Sequence, residues 1–257
     1  MLLTLDMGNT NIKIGVFKGK NLLLESRIAT DRSKMEDQYA VEMLDILRLY
    51  NLNVSEFEGA IISSVVPPLN VTIRRAVEKV TGMSPMIVGP GTKTGVDIRI
   101  DNPAQLGADL LVGAVAAITQ YGVPCIIWDL GTATTVSVVD KDGVFRGGAI
   151  IAGVDVSIES LVSQASQLPR ISLEAPERVI GTNTVESMQS GVVYGTASMI
   201  DGMCERIESE LGYPASVVIT GGLGREIAPH CRHKVAFNDS LILSGLNIIY
   251  EKNKKLK

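Results

Sequence analysis

Two stretches of the chain carry the same set of chemically capable residues. Asp6-Met7-Gly8-Asn9-Thr10-Asn11 stands near the start, and Asp129-Leu130-Gly131-Thr132-Ala133-Thr134-Thr135 near the midpoint. Gly8 and Gly131 let the backbone approach a phosphate because no Cβ intervenes. The Asn, Thr and backbone N–H groups that follow are donors for phosphate oxygens. Asp6 and Asp129, at strand ends, suit a hydrated Mg²⁺ that bridges to those oxygens. One Asp-x-Gly is as readily a plain turn; two copies in matching surroundings point to phosphate handling. A third candidate is Asp109, the single charge in the run from Gln105 to Ile118. A carboxylate in such an apolar helix is costly without a partner or a task, the bland alternative being a side chain turned to solvent.

The elements that must position these residues also repeat. Each loop follows a short apolar run, Leu2 to Leu5 and Cys125 to Trp128, that reads as a buried strand. Each precedes a second strand and a turn with Gly, and the distance from Asp to turn Gly is 13 residues to Gly19 and 14 to Gly143. The repeat predicts an α/β fold of two similar halves, residues 1–118 and 119–257, each a mixed sheet flanked by helices. In the first half, residues 1–30 read as a hairpin with a third strand. Ser33-Lys34-Met35-Glu36 predicts a capping box and a helix to about Tyr50. Residues 60–66 read as a central strand, Pro67-Pro68 as a helix start, and 86–88 as a short strand. Asn102 and Pro103 suit the cap and first position of the helix that holds Asp109. In the second half, helices are expected over 155–166 and, in broken form, over 184–211, where Gly191, Gly195 and Gly202 suggest close helix packing, either internal or across a subunit interface. Strand 216–220 runs into Gly221-Gly222, where a nucleotide's base or sugar could lie against backbone.

Bulk properties narrow the partners. A net charge of −4 and a pI near 5.3 give no electrostatic footprint for nucleic acid. The basic cluster Lys252, Lys254, Lys255 and Lys257 reads as a solvated helix end. Cys125, Cys204 and Cys231 are too scattered for a zinc site or disulfide framework, and with no signal peptide a cytoplasmic location is expected. Leu110 to Trp128 is uncharged for 19 residues, but Gly122-Val123-Pro124 divides it into a helix and a strand, so no membrane span is expected. His230 and His233 read as structural.

Taken in order, Asp6-Gly8-Asn9-Thr10, Asn102-Pro103 with Gly107-Ala108-Asp109, Asp129-Gly131-Thr132-Ala133-Thr134-Thr135 and Thr220-Gly221-Gly222 resemble the bacterial type III pantothenate kinases. Leu168-Pro169-Arg170 and the string Asn183 to Gly191 strengthen the likeness, which covers essentially the whole chain. The resemblance implies a duplicated ribonuclease-H-like, actin-like ATPase fold with an inter-domain nucleotide cleft, a homodimer, and ATP-dependent phosphorylation of pantothenate in coenzyme A biosynthesis. It implies ATP contacts from Asp6, Met7, Gly8, Asn9, Thr10, Asn11, Ile12, Lys13 and Thr132, to which Gly221 and Gly222 are added. It implies substrate contacts from Ile100, Gly107, Ala108, Asp109, Leu110 and Thr184, with Asp109 as general base. Asp129 would hold a monovalent cation, K⁺ or NH₄⁺, and Asp6 a Mg²⁺. The family often has Arg where this chain has Leu110 and Tyr where it has Ile100, so the pantothenate carboxylate would need another partner, such as Arg99 or Arg170. Two other readings keep the fold: another small-molecule kinase, or a non-catalytic ATP-binding regulator.

Overall fold

The computed structural model describes residues 1–254. Its contacts divide into two compact units. Unit 1 takes in Met1–Val96, Asn102–Ala116 and the chain from Ser240 onward; unit 2 takes in Asp97–Asp101 and Ala117–Asp239.

Unit 1 is built on strands β1 (Leu2–Met7), β2 (Asn11–Lys18), β3 (Asn21–Ala29), β4 (Gly59–Ser64) and β5 (Met86–Ile87), in the order β3-β2-β1-β4-β5. The first three strands are antiparallel, while β1, β4 and β5 are parallel. Alternation along β1 sends Leu3, Leu5 and Met7 to one face. There they pack with Tyr39, Met43, Leu47, Ile73 and Val77 of α1 (Glu36–Leu49) and α2 (Asn70–Thr81). Leu2 and Ile61 form the opposite core with Val112 and Val115 of α3 (Ala108–Tyr121) and with Leu243 and Leu246 of α7 (Leu241–Lys254). Two glycines allow α7 to close on this core. A Cβ on Gly245 would stand 2.2 Å from the Val112 carbonyl, and one on Gly59 would stand 1.9 Å from the Tyr250 hydroxyl.

Unit 2 repeats the plan. Its strands are β6 (Asp97–Ile98), β7 (Cys125–Leu130), β8 (Ala133–Val139), β9 (Val144–Ala152), β10 (Ser216–Thr220) and β11 (Val235–Phe237). Read from β9, the order β9-β8-β7-β10-β11 matches β3-β2-β1-β4-β5, and β6 is added outside β9. The match extends to position: Asp6 is the fifth residue of β1 and Asp129 the fifth of β7. Helices α4 (Val154–Gln164), α5 (Thr184–Leu211) and α6 (Gly224–Ile227) complete the unit. Val193, Ala197, Ile200 and Cys204 of α5 pack on Ile126, Trp128, Leu130 and Val136, and Trp128 Nε1 donates to Cys204 Sγ at 3.4 Å.

Several local expectations are corrected. The first helix is not capped by Ser33, whose amide and hydroxyl both bond Asp31; the cap is Met35, whose N–H donates to Gln38 Oε1 at 2.8 Å. Asn102 does accept from the Ala104 amide, but it caps a short 3₁₀ turn, Pro103–Gln105, and α3 begins separately at Ala108. The second long helix is unbroken from Thr184 to Leu211. Gly191 and Gly195 lie on its exposed side, while the buried stripe at 193, 197, 200 and 204 continues past them. Each glycine costs roughly 1 kcal/mol in a helix, and one buried large apolar side chain offsets that. The apolar run from Leu110 divides as expected, with α3 ending at Tyr121, Gly122 at φ +79°, and β7 beginning at Cys125. Among the described residues no helix is long and apolar enough to cross a membrane. Of the basic terminus, Lys252 Nζ donates to the Thr94 carbonyl and Lys254 pairs with Glu58 at 2.8 Å. Lys255 and Lys257 lie outside the described residues.

Candidate active site

In unit 1 the loop from Gly8 to Thr10 joins β1 to β2, and its shape is held from both sides. The Gly8 amide donates to the Asn11 carbonyl at 3.0 Å. From the end of β3, the Thr30 hydroxyl donates to the Gly8 carbonyl at 2.7 Å and the Thr30 amide to the Thr10 carbonyl at 2.9 Å. Thr30 carries no motif, which is why sequence reasoning passed over it. Register places Lys13 of β2 and Ser63 of β4 on either side of Asp6, so three polar side chains share one row of the sheet.

Asp109 occupies the first turn of α3. Its Oδ1 accepts from the Leu110 amide at 2.8 Å, so the carboxylate folds back over the helix start. Gly107 makes room for it: a Cβ there would stand 2.5 Å from Asp109 Oδ1. Burial pushes the Asp109 carboxyl above its usual range, and the backbone hydrogen bond only partly offsets this. The lone acid is therefore half-buried and held over the start of the helix by its immediate neighbours.

In unit 2 the equivalent loop is tighter. Gly221 follows β10 at φ +94°, and a Cβ there would stand 2.6 Å from both Asp129 Oδ1 and the Leu130 backbone. Behind the loop, a Cβ on Gly153 would stand 2.2 Å from the Thr132 carbonyl and 2.6 Å from that of Gly131. Gly153 had no motif to announce it; its requirement is visible only once β9 returns past the loop. Gly221 thus stands against Asp129, and Gly222, next along the chain, is exposed. Ile100 packs against Gly147 of β9, 3.7 Å from where its Cβ would be.

Thr184 lies elsewhere within unit 2. It borders a cavity of about 730 Å³ lined chiefly by Ile151, Ile158, Leu161, Met188 and Val192, with Thr134 among the lining residues. Thr134 pairs with Leu130 and so projects to the opposite face of the sheet from Asp129. The histidines are structural. His230 meets Tyr194 edge to face at 5.2 Å, and His233 lies 3.3 Å from Glu208 and 3.8 Å from Asp201.

A cation has a place here only of a particular kind. No cluster of three or more His, Cys, Asp or Glu side chains able to hold a metal occurs among the described residues. A single carboxylate at a strand end beside a glycine loop, as at Asp6, is what Mg²⁺ takes when waters and substrate phosphates supply the remaining oxygens. The residues present fit a cation that arrives with a phosphate ligand.

Comparison with known proteins shows the family and the fold. The type III pantothenate kinase family model matches residues 2–206. The Type III pantothenate kinase of an Exiguobacterium species is 43% identical over 255 residues, covering 99% of this chain and 100% of that one. That of Geobacter sulfurreducens is 42% identical over 255 residues, with the same coverage. Among solved structures, a conserved putative Baf family transcriptional activator from Campylobacter jejuni superposes with a TM-score of 0.61 at 18% identity, covering 98% of this chain and 99% of that one. The ROK hexokinase of Thermus thermophilus gives 0.52 at 16%, covering 99% of each. These structures establish the fold as that of the actin-like ATPases and ROK sugar kinases. With its family model spanning most of the sequence and full-length relatives above 40% identity, the chain belongs to the type III pantothenate kinase family.

Proposed function

We propose that the protein transfers the γ-phosphoryl group of ATP to the 4′ hydroxyl of pantothenate, the first step of coenzyme A biosynthesis. Asp109 accepts the hydroxyl proton as the oxygen attacks the γ-phosphorus, and ADP leaves. Phosphate oxygens take donors from the loop Asp6 to Lys13 and from Thr132, and the glycines at 221 and 222 give the nucleoside a flat backbone surface. Asp6 would hold a Mg²⁺ and Asp129 a monovalent cation, which when bound would supply positive charge against the phosphates. Gly107, Ala108, Leu110, Ile100 and Thr184 contact pantothenate. Leu110 offers its carboxylate no charge-assisted hydrogen bond, so an exposed arginine, Arg99 or Arg170, takes that part.

One observation carries this reading: the half-buried Asp109 carboxylate is held at the start of α3 by the Leu110 amide, with Gly107 leaving room for it. The experiment is a coupled ADP-release assay with pantothenate as acceptor. Pantothenate-dependent ADP release supports the reading; release with a sugar instead, or none at all, overturns it. We further propose that the two units are the two actin-like domains and that the protein works as a cytoplasmic homodimer. Support for the dimer comes from the apolar side chains Ile150, Leu161, Val179, Ile180 and Val185, all exposed in unit 2.

A further inference from the structure

Ser63 is fully buried, and its hydroxyl has no hydrogen-bond partner among the described residues. A hydroxyl kept in such a place without a partner is a cost, and an alanine would remove it. The same strand buries Ala60, so small apolar side chains are accommodated there. Its neighbour Ser64 is committed to the turn that follows, donating to Asn70 Oδ1 and accepting from the Val66 amide at 3.1 Å.

What singles out Ser63 is its register. It stands directly beside Asp6 on the adjacent parallel strand, where paired residues project to the same face about 4.8 Å apart. The second half repeats the arrangement independently. Thr220 stands beside Asp129 in the same register and is also fully buried, and its hydroxyl reaches the Asp239 carbonyl only at 3.5 Å. In both halves the strand next to the loop aspartate places a small hydroxyl at this one position. Packing alone does not call for that coincidence.

We propose that Ser63 is a positioning residue: its hydroxyl hydrogen-bonds a water of the hydrated divalent cation held at Asp6, and so orients the cation–nucleotide complex. The unpaired hydroxyl is then a partner in waiting, satisfied on binding. This inference rests on the reading of Asp6 as an ATP and Mg²⁺ residue.

The test compares the wild-type protein with Ser63→Ala by calorimetric titration of ATP with Mg²⁺ and of ATP with EDTA, together with thermal unfolding of the nucleotide-free proteins. We expect Ser63→Ala to weaken Mg·ATP about tenfold, the loss of one good hydrogen bond. Metal-free ATP should bind within about twofold of wild type, and the nucleotide-free melting temperature should be unchanged or raised because an unsatisfied hydroxyl has gone. Equal loss with and without Mg²⁺, no loss at all, or a lowered nucleotide-free melting temperature overturns the inference while leaving the ATP reading intact. Wild-type protein that binds Mg·ATP no better than metal-free ATP overturns the reading of Asp6, and the inference with it.

Discussion

The Asp129 carboxylate and Gly221 share one space: a Cβ on Gly221 would lie 2.6 Å from Asp129 Oδ1, and Gly221 itself sits at φ +94°. The strand that leads into Gly221 runs beside the strand that carries Asp129. Backbone conformation and side-chain room therefore demand glycine for separate reasons. Gly221→Ala is expected to cost about 1–2 kcal/mol of stability from the positive φ alone. It should also displace Asp129 and weaken ATP binding by at least about tenfold, as loss of one charge-assisted contact would. Unchanged nucleotide affinity in a titration would show that the Asp129 carboxylate has no part in the site.

Asp109→Asn separates chemistry from binding. Without a proton acceptor, kcat should fall by at least about 10²-fold while ATP affinity stays close to wild type. Turnover within a few-fold of wild type would retire the general-base role.

The same residue carries a pH signature. Burial raises its folded pKa above the unfolded value, so the folded chain keeps this proton to higher pH. The stabilising contribution is present below the unfolded pKa and is lost as pH rises through the folded one. At neutral pH the ionised carboxylate is a cost, and Asp109→Asn should melt at a higher temperature than wild type. The acidic limb of kcat/KM should likewise lie above the ordinary carboxylate range. A variant that melts lower at neutral pH would mean that the carboxylate is stabilised in the fold.

Asp201 holds the loop before β11. It is 8% exposed, and its oxygens accept from the Arg232 amide at 2.9 and 3.0 Å and from the His233 amide at 3.0 Å. Asp201→Ala strands two backbone donors and should cost about 3 kcal/mol in urea unfolding. Mg·ATP affinity measured under folding conditions should remain, and a loss below about 1 kcal/mol would mean that water replaces the carboxylate.

Exchange of K⁺ for Na⁺ tests the monovalent site. If Asp129 holds such an ion, turnover falls in Na⁺ and recovers on adding K⁺, and Asp129→Asn removes the dependence. A wild-type rate indifferent to the cation counts against that assignment.

By itself the sequence determined the repeated Asp-x-Gly loops, the strands that lead into them and the apolar helix with one acid. Those signals are local: periodicity, glycine and proline act within a few residues of where they occur. Tertiary structure decided the rest. Ser63 stands beside Asp6, and Thr220 beside Asp129, only because parallel strands far apart in sequence pair in one register. Gly153 is needed because β9 brings it against the Thr132 carbonyl. The long helix runs unbroken past its glycines because a buried stripe of side chains outweighs their local preference, and α7 joins the first sheet because Gly59 and Gly245 leave it room. Pairing across long loops is set by the sum of many packing contacts, and no single stretch of residues states that sum in advance.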